Sequence, residues 1–187
     1  MNKDEQIIQT ALKLFVDNGF HGTATSKIAQ ESGVANGTLF NYFATKEILI
    51  VSIHNNITKK MDDFIMESLG TKSVSKESFR KLFVASLDWN LNNKTEFQYL
   101  QQFNSSPYSK SFMTRILSMD EHPLYVLIKN GIDLVIIKPM PVALIFSLFT
   151  AQINGLYYYL IANEIDIKST ELLIQQTFDL LWNMIED

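Results

Sequence analysis

The stretch Thr23 to Lys46, TATSKIAQESGVANGTLFNYFATK, constrains the fold more tightly than any other part of the chain. Ile28 and Ala29 are apolar neighbours on a short amphipathic segment that can open at Thr23, whose hydroxyl suits the free N–H groups of a first helical turn. Ser32-Gly33 then stops that segment, because glycine readily takes the left-handed conformation that a helix C-terminus asks for, and Val34 is left as an apolar plug in the turn. A second helix is expected from about Ala35 to Phe43. A spacing of four places Leu39 and Phe43 on one face and leaves Asn36, Gly37, Asn41 and Tyr42 to look outward.

Two short helices joined by a glycine-containing turn form the helix-turn-helix pattern, in which the second helix lies in a DNA major groove. Upstream, about Lys3 to Asn18 reads as a first helix with Ile8, Ala11, Leu12 and Phe15 on one stripe, ended by Gly19. The series Ile28-Ala29, Gly33-Val34, Gly37-Thr38-Leu39-Phe40, Tyr42-Phe43 and Lys46-Glu47, preceded by the helix Ile7 to Asn18 and Gly19-Phe20, resembles the N-terminal domain of TetR-family transcriptional regulators. The resemblance covers roughly the first 50 residues, and beyond Leu49 only helical character and length match. It departs at Phe40, where tyrosine is common, and at Ala24, where a capping Thr or Ser is common, so that Thr23 becomes the expected cap. The resemblance implies an all-α chain of about nine helices. Residues 1–46 would form a three-helix helix-turn-helix DNA-binding domain, and residues 47–187 a larger helical domain for effector binding and dimerisation. It also implies a homodimer on a double-stranded, near-palindromic DNA operator, acting as a repressor released by a small-molecule effector.

At 187 residues the chain can bury a sizeable core, and its 47% apolar and 19% charged composition, with 13 Phe and 7 Tyr, is the opposite of a disordered signature. The absence of cysteine excludes disulfides and thiolate metal sites. The polar start Met1-Asn2-Lys3-Asp4-Glu5 lacks the apolar run of a signal peptide, so a cytoplasmic protein is expected. No enzyme, cofactor or metal is expected either. His21, His54 and His122 are scattered without ligand spacing, and neither a glycine-rich phosphate loop nor a Ser/His/Asp order stands out. The net charge is −4, and even the first 50 residues carry Lys3, Lys13, Lys27 and Lys46 against Asp4, Glu5, Asp17, Glu31 and Glu47. Any DNA binding must therefore rest on a local patch and neutral donors, with modest affinity that salt weakens.

Thr45 can cap a fourth helix with Leu49, Ile53, Ile57, Met61 and Phe64 as its stripe, running to about Leu69. Ser75 opens a fifth with Phe79, Leu82, Phe83, Leu87 and Leu91, and Thr95 to Asn104 forms a sixth. A seventh is expected from about Ser109 to Asn130, bent or divided by Pro123 and stopped by Gly131. From Pro139 to Asn163 there are 25 residues without a charge. Length alone would permit a membrane span, but Gln152 and Asn154 near the middle and the apolar helix that follows favour a helix buried on all sides. The last helix, about Thr170 to Glu186, is apolar through Leu172, Leu173, Phe178, Leu181 and Ile185. Two broad apolar helices exceed what one core needs, and a four-helix bundle made with the same pair from a second copy follows.

For DNA contact, Thr25 and Ser26 in the first turn of the second helix are candidates for phosphate, as are Tyr42 and Lys46, whose matching family positions contact phosphates. Asn36 is the leading base reader, since its amide matches adenine N6 and N7. Gly37 permits close approach, Ala35 or Thr38 can touch a thymine methyl, and Asn41 can reach a base or a phosphate. With no arginine in the first 50 residues, guanine lacks its usual bidentate partner and a site rich in A·T contacts is expected. The family resemblance also implies an effector cavity, mainly apolar, for which Trp89, Phe97, Phe103, Phe112, Tyr125 and Phe149 are candidate walls and Gln98 and Gln152 candidate polar anchors. An effector that tilts the fourth helix would change the distance between the two DNA-reading helices. The competing reading is an all-helical protein-interaction or membrane-surface module that no longer reads DNA, which the poorly basic N-terminal domain favours.

Overall fold

The computed structural model describes residues 2–70, 73–109, 122–163, 165 and 167–187. Among them lie nine helices: α1 (Lys3–Gly22), α2 (Thr25–Glu31), α3 (Asn36–Tyr42), α4 (Lys46–Leu69), α5 (Lys76–Asn92), α6 (Lys94–Asn104), α7 (Pro123–Asp133), α8 (Val142–Asn163) and α9 (Ile167–Ile185). They fall into two compact units, Met1–Lys60 with Asn93–Ser118, and Met61–Asn92 with Met119–Asp187. The boundary expected after residue 46 thus lies inside the first unit.

In the first unit α1 starts from a capping box, in which the Glu5 carboxylate accepts the Asn2 N–H at 3.2 Å. Gly19 leaves helical geometry at φ 73°, as its place in the sequence suggests, but one more turn follows to Gly22 and carries Phe20 into the core. Ile7 takes the buried place expected of Ile8, which is only half-buried. α1 packs on α2 and, more extensively, on α6. Tyr99 of α6 is fully buried among Phe15 and Phe20, and its hydroxyl donates to the Ile50 carbonyl at 2.8 Å. Gln102 donates to the Val16 carbonyl at 2.9 Å, and Phe103 lies 4.1 Å from the His54 ring. A helix some fifty residues downstream of α4's start therefore completes the core around α1 and α4.

In the second unit α8 packs against α5, α7 and α9, and Phe79, Phe83, Phe149, Phe178 and Trp182 form its aromatic centre with ring separations of 5.4–6.5 Å. Pro123 stands at a helix start, which agrees with the expected division there. It opens α7 at a position that needs no N–H, behind His122, whose ring nitrogen accepts the Leu124 N–H. Residues 110–121 of the expected seventh helix lie outside the described residues. Gly131 does not stop α7. It is buried within the helix, where a Cβ would stand 3.1 Å from Phe79 and 3.2 Å from Ile137, so its role is close approach. Along α4 the stripe begins as expected at Leu49, Ile53 and Ile57, but Met61 is half-buried, Phe64 is exposed, and Ile65 and Leu69 take over. A spacing of 3.6 makes a fixed run of threes and fours drift around a long helix.

The expectation for α8 is corrected in the single chain. The helix is long and apolar enough to cross a membrane by length and composition, yet only a third of that window is buried. Ile145, Phe149, Ile153, Leu156, Tyr157 and Leu160 turn inward, while Leu144, Tyr158, Tyr159 and Ile161 are exposed. α9 likewise exposes Leu172, Leu180 and Met184.

Candidate nucleic-acid interface

The geometry of the interface begins with Thr23, which does not cap α2. Its side chain is fully buried and its hydroxyl lies 3.0 Å from the Leu14 carbonyl and 2.8 Å from that of Gly19, closing α1. Ala24 is the N-cap residue of α2 and offers no side-chain bond. α2 ends as expected. Gly33 sits at φ +68°, its N–H reaches the Gln30 carbonyl at 3.1 Å, and the Val34 N–H reaches that of Ala29 at 3.0 Å. This is the paired-bond helix stop that left-handed glycine makes possible. The Ser32 hydroxyl adds a bond to Ile28 at 2.6 Å, which fixes the turn further.

α3 follows after Ala35 and packs on α2. Leu39 is fully buried and Phe43 nearly so, two anchors one turn apart that set which side of the helix faces out. Ala35, Asn36, Gly37 and Asn41 are exposed, Thr38 is half-buried, and Tyr42 is 46% exposed. In α2 Ser26 is exposed and Thr25 half-buried. Lys46 begins α4, where the Thr45 hydroxyl accepts the Ile48 N–H at 3.2 Å, the expected cap. The Lys46 ammonium stands over the Phe15 ring at 6.0 Å, so it is held by a cation–π contact as well as being available at the surface. Lys27 pairs with Glu31 at 3.8 Å on α2. In the sequence Phe40 stands out only by the hydroxyl it lacks. The structure leaves its ring 42% exposed, four residues from Asn36, and that spacing was the signal.

The residues expected around an effector are divided between the units. Phe97 and Phe103 are core residues of the first, with Gln98 exposed there. Trp89 and Phe149 are core residues of the second, Tyr125 is half-buried against Phe146, and Gln152 donates to the Thr177 carbonyl in a shallow groove between α8 and α9. Phe112 lies outside the described residues. Within the second unit Asp62 and His122 face each other, Oδ1 to Nε2, at 3.6 Å. Burial pushes His122 down to about 4, while burial and the neighbouring Asp63 raise Asp62 to about 6. Since Nδ1 of His122 accepts from Leu124, the neutral ring carries its proton on Nε2, facing the carboxylate. Among the described residues no group of three or more acidic or histidine side chains is placed to hold a metal ion.

A charge-free second helix, locked by a glycine stop and two buried anchors with its polar face outward, defines a helix-turn-helix protein of the regulatory class. The family model described as bacterial regulatory proteins, tetR family, matches residues 7–53. Residues 7–53 therefore carry the N-terminal domain of TetR-family regulators, and the resemblance read from Ile28 to Glu47 is borne out there. It is 28% identical to a TetR-family transcription regulator from Shewanella sp. PV-4, whose crystal structure it matches over 100% of both chains with a TM-score of 0.90. A TetR-family regulator from Marinobacter aquaeolei VT8 shares the fold at 20% identity and a TM-score of 0.85, over 99% of this chain and 96% of that one. The fatty acid metabolism regulator protein of Bacillus subtilis is 39% identical over 75 residues, 38% of this chain. The match spans 37% of the length of that curated relative. These relatives are transcriptional regulators and not enzymes.

Proposed function

We propose that the chain is a homodimeric, cytoplasmic transcriptional repressor that reads a near-palindromic operator through α3 and releases it when a small, mainly apolar effector binds. The observation that carries the reading is the outward face of α3, where Asn36, Gly37 and Asn41 are uncovered while Leu39 and Phe43 fix the helix from behind. Asn36 reads adenine, Ala35 and Thr38 approach thymine methyls, and Asn41 serves a base or a phosphate. Thr25, Ser26, Tyr42 and Lys46 position the unit on phosphates. Support for the dimer comes from α8 and α9, which leave Leu144, Tyr158, Tyr159, Leu172 and Leu180 exposed in the single chain. A second copy covers this face as a four-helix bundle, and sets two α3 helices to meet half-sites about one helical turn apart. Trp89, Tyr125, Phe149 and Gln152, all in the second unit, are the candidates kept for effector contact, and an effector that prefers one body conformation acts by tilting α4.

The test is a gel shift on DNA from upstream of the chain's own gene at two salt concentrations. Lys46→Ala should weaken all sequences alike and reduce the salt slope by about one unit, whereas Asn36→Ala should relax choice at one base pair per half-site with a loss of about 1–3 kcal/mol. Footprints that ignore both substitutions refute the assignment.

A further inference from the structure

We propose that Phe40 is a specificity-determining residue that reads the 5-methyl group of thymine, an inference that rests on the DNA-reading role of α3 given above. The whole of α3, NGTLFNY, carries no formally charged side chain, so its outward face offers amides, a hydroxyl, a phenol and one hydrocarbon ring. That ring belongs to Phe40, 42% exposed in a helix whose other phenylalanine-like contacts are turned inward at Leu39 and, just beyond, Phe43. A lone exposed phenylalanine is ordinary on a protein surface. Position singles this one out. Helical side chains lean toward the N-terminus, so the ring inclines over the turn that holds Asn36 and Gly37. Gly37 brings no side chain to that turn, and nothing stands within 4 Å of where its Cβ would be.

The major groove offers hydrogen-bond donors and acceptors on every base pair but an apolar group only on thymine, the C5 methyl. An amide and an aromatic ring four residues apart on one helix face are about 6 Å apart along the helix, roughly two base-pair steps. Asn36 for adenine and Phe40 for a nearby thymine methyl thus form one A·T-directed pair. A tyrosine at the same place would bring a hydroxyl to the backbone or a base edge; phenylalanine makes the contact purely apolar.

The experiment selects duplexes from a random-sequence pool with the full-length wild-type chain, then remakes the selected duplex with deoxyuridine in place of each thymidine, which removes the methyl and leaves the pairing edge intact. Wild-type affinity should fall about fourfold for each methyl read, the factor expected for withdrawing one methyl-sized group from an apolar contact. Phe40→Ala should bind the thymidine duplex more weakly and be indifferent to deoxyuridine at those positions, while Phe40→Leu should keep part of the sensitivity. Circular dichroism of both variants confirms the fold. A wild-type chain blind to deoxyuridine, or a Phe40→Ala chain as sensitive as wild type at the same positions, overturns the inference and leaves the DNA-reading role standing. If no duplex is selected, the DNA-reading role fails and this inference with it.

Discussion

Thr23 and Thr25 stand two residues apart and do different work. Thr23 is sealed in the core with its one hydroxyl proton shared between the carbonyls of Leu14 and Gly19, so it belongs to the stability of the first unit. Thr23→Val keeps the shape and removes the donor, and should cost about 1–2 kcal/mol in urea unfolding. Thr25→Val should leave the unfolding curve in place and weaken DNA binding. The chain TATS gives no sign of this division, because capping chemistry is satisfied by either hydroxyl and the choice depends on the left-handed Gly19 upstream, which carries the chain so that Thr23 points back into α1. Asn36, Gly37 and Asn41 were legible for the opposite reason. Their exposure follows from Leu39 and Phe43 by helical spacing alone.

At the scale of elements, local signals were the readable ones. Gly33 stops α2, Thr45 caps α4, and Ser75 opens α5 with its hydroxyl accepting the Ser78 N–H at 3.3 Å. Each is a contact within a few residues, and the sequence states both partners. Gly131, expected to stop a helix, lies within one because its role depends on distant groups: Phe79 and Ile137 press on it from other segments. The burial of α8 on all sides is not met within one chain for another reason. A helix without charge announces that it will be covered, but the surplus of apolar face that points to a second copy does not say which side of α8 the chain's own core takes. If a second copy covers it, Leu172→Glu combined with Leu180→Glu, at sites 56% and 68% exposed in the single chain, should leave the helical content intact and convert a dimer to a monomer in sedimentation equilibrium.

For the whole molecule, acid is the informative stress. Burial holds His54, in the first unit, and His122, in the second, at about 4 against an unfolded value near 6.5. A depressed histidine means the unfolded chain binds protons more readily, so the contribution of both residues is complete above pH 6.5 and drains away as pH falls toward 4. Asp62, raised to about 6, runs the other way: its contribution is greatest below the usual carboxylate value of 3.8 and is lost as pH rises through 6. Two histidines outweigh one carboxylate, and the melting temperature should drop by roughly 5–10 °C between pH 7 and pH 4.5. His54→Leu should flatten that drop, and Asp62→Asn should raise the melting temperature at pH 7.5 while steepening it. Finally, α6 sits with α1 and α4 through Tyr99 and Gln102 although it is encoded after α5. Anyone wishing to transplant the reading module onto a foreign sensor cannot cut once: a piece ending at residue 60 would carry an open greasy socket where Tyr99 belongs, and a working hybrid has to bring two separate segments along.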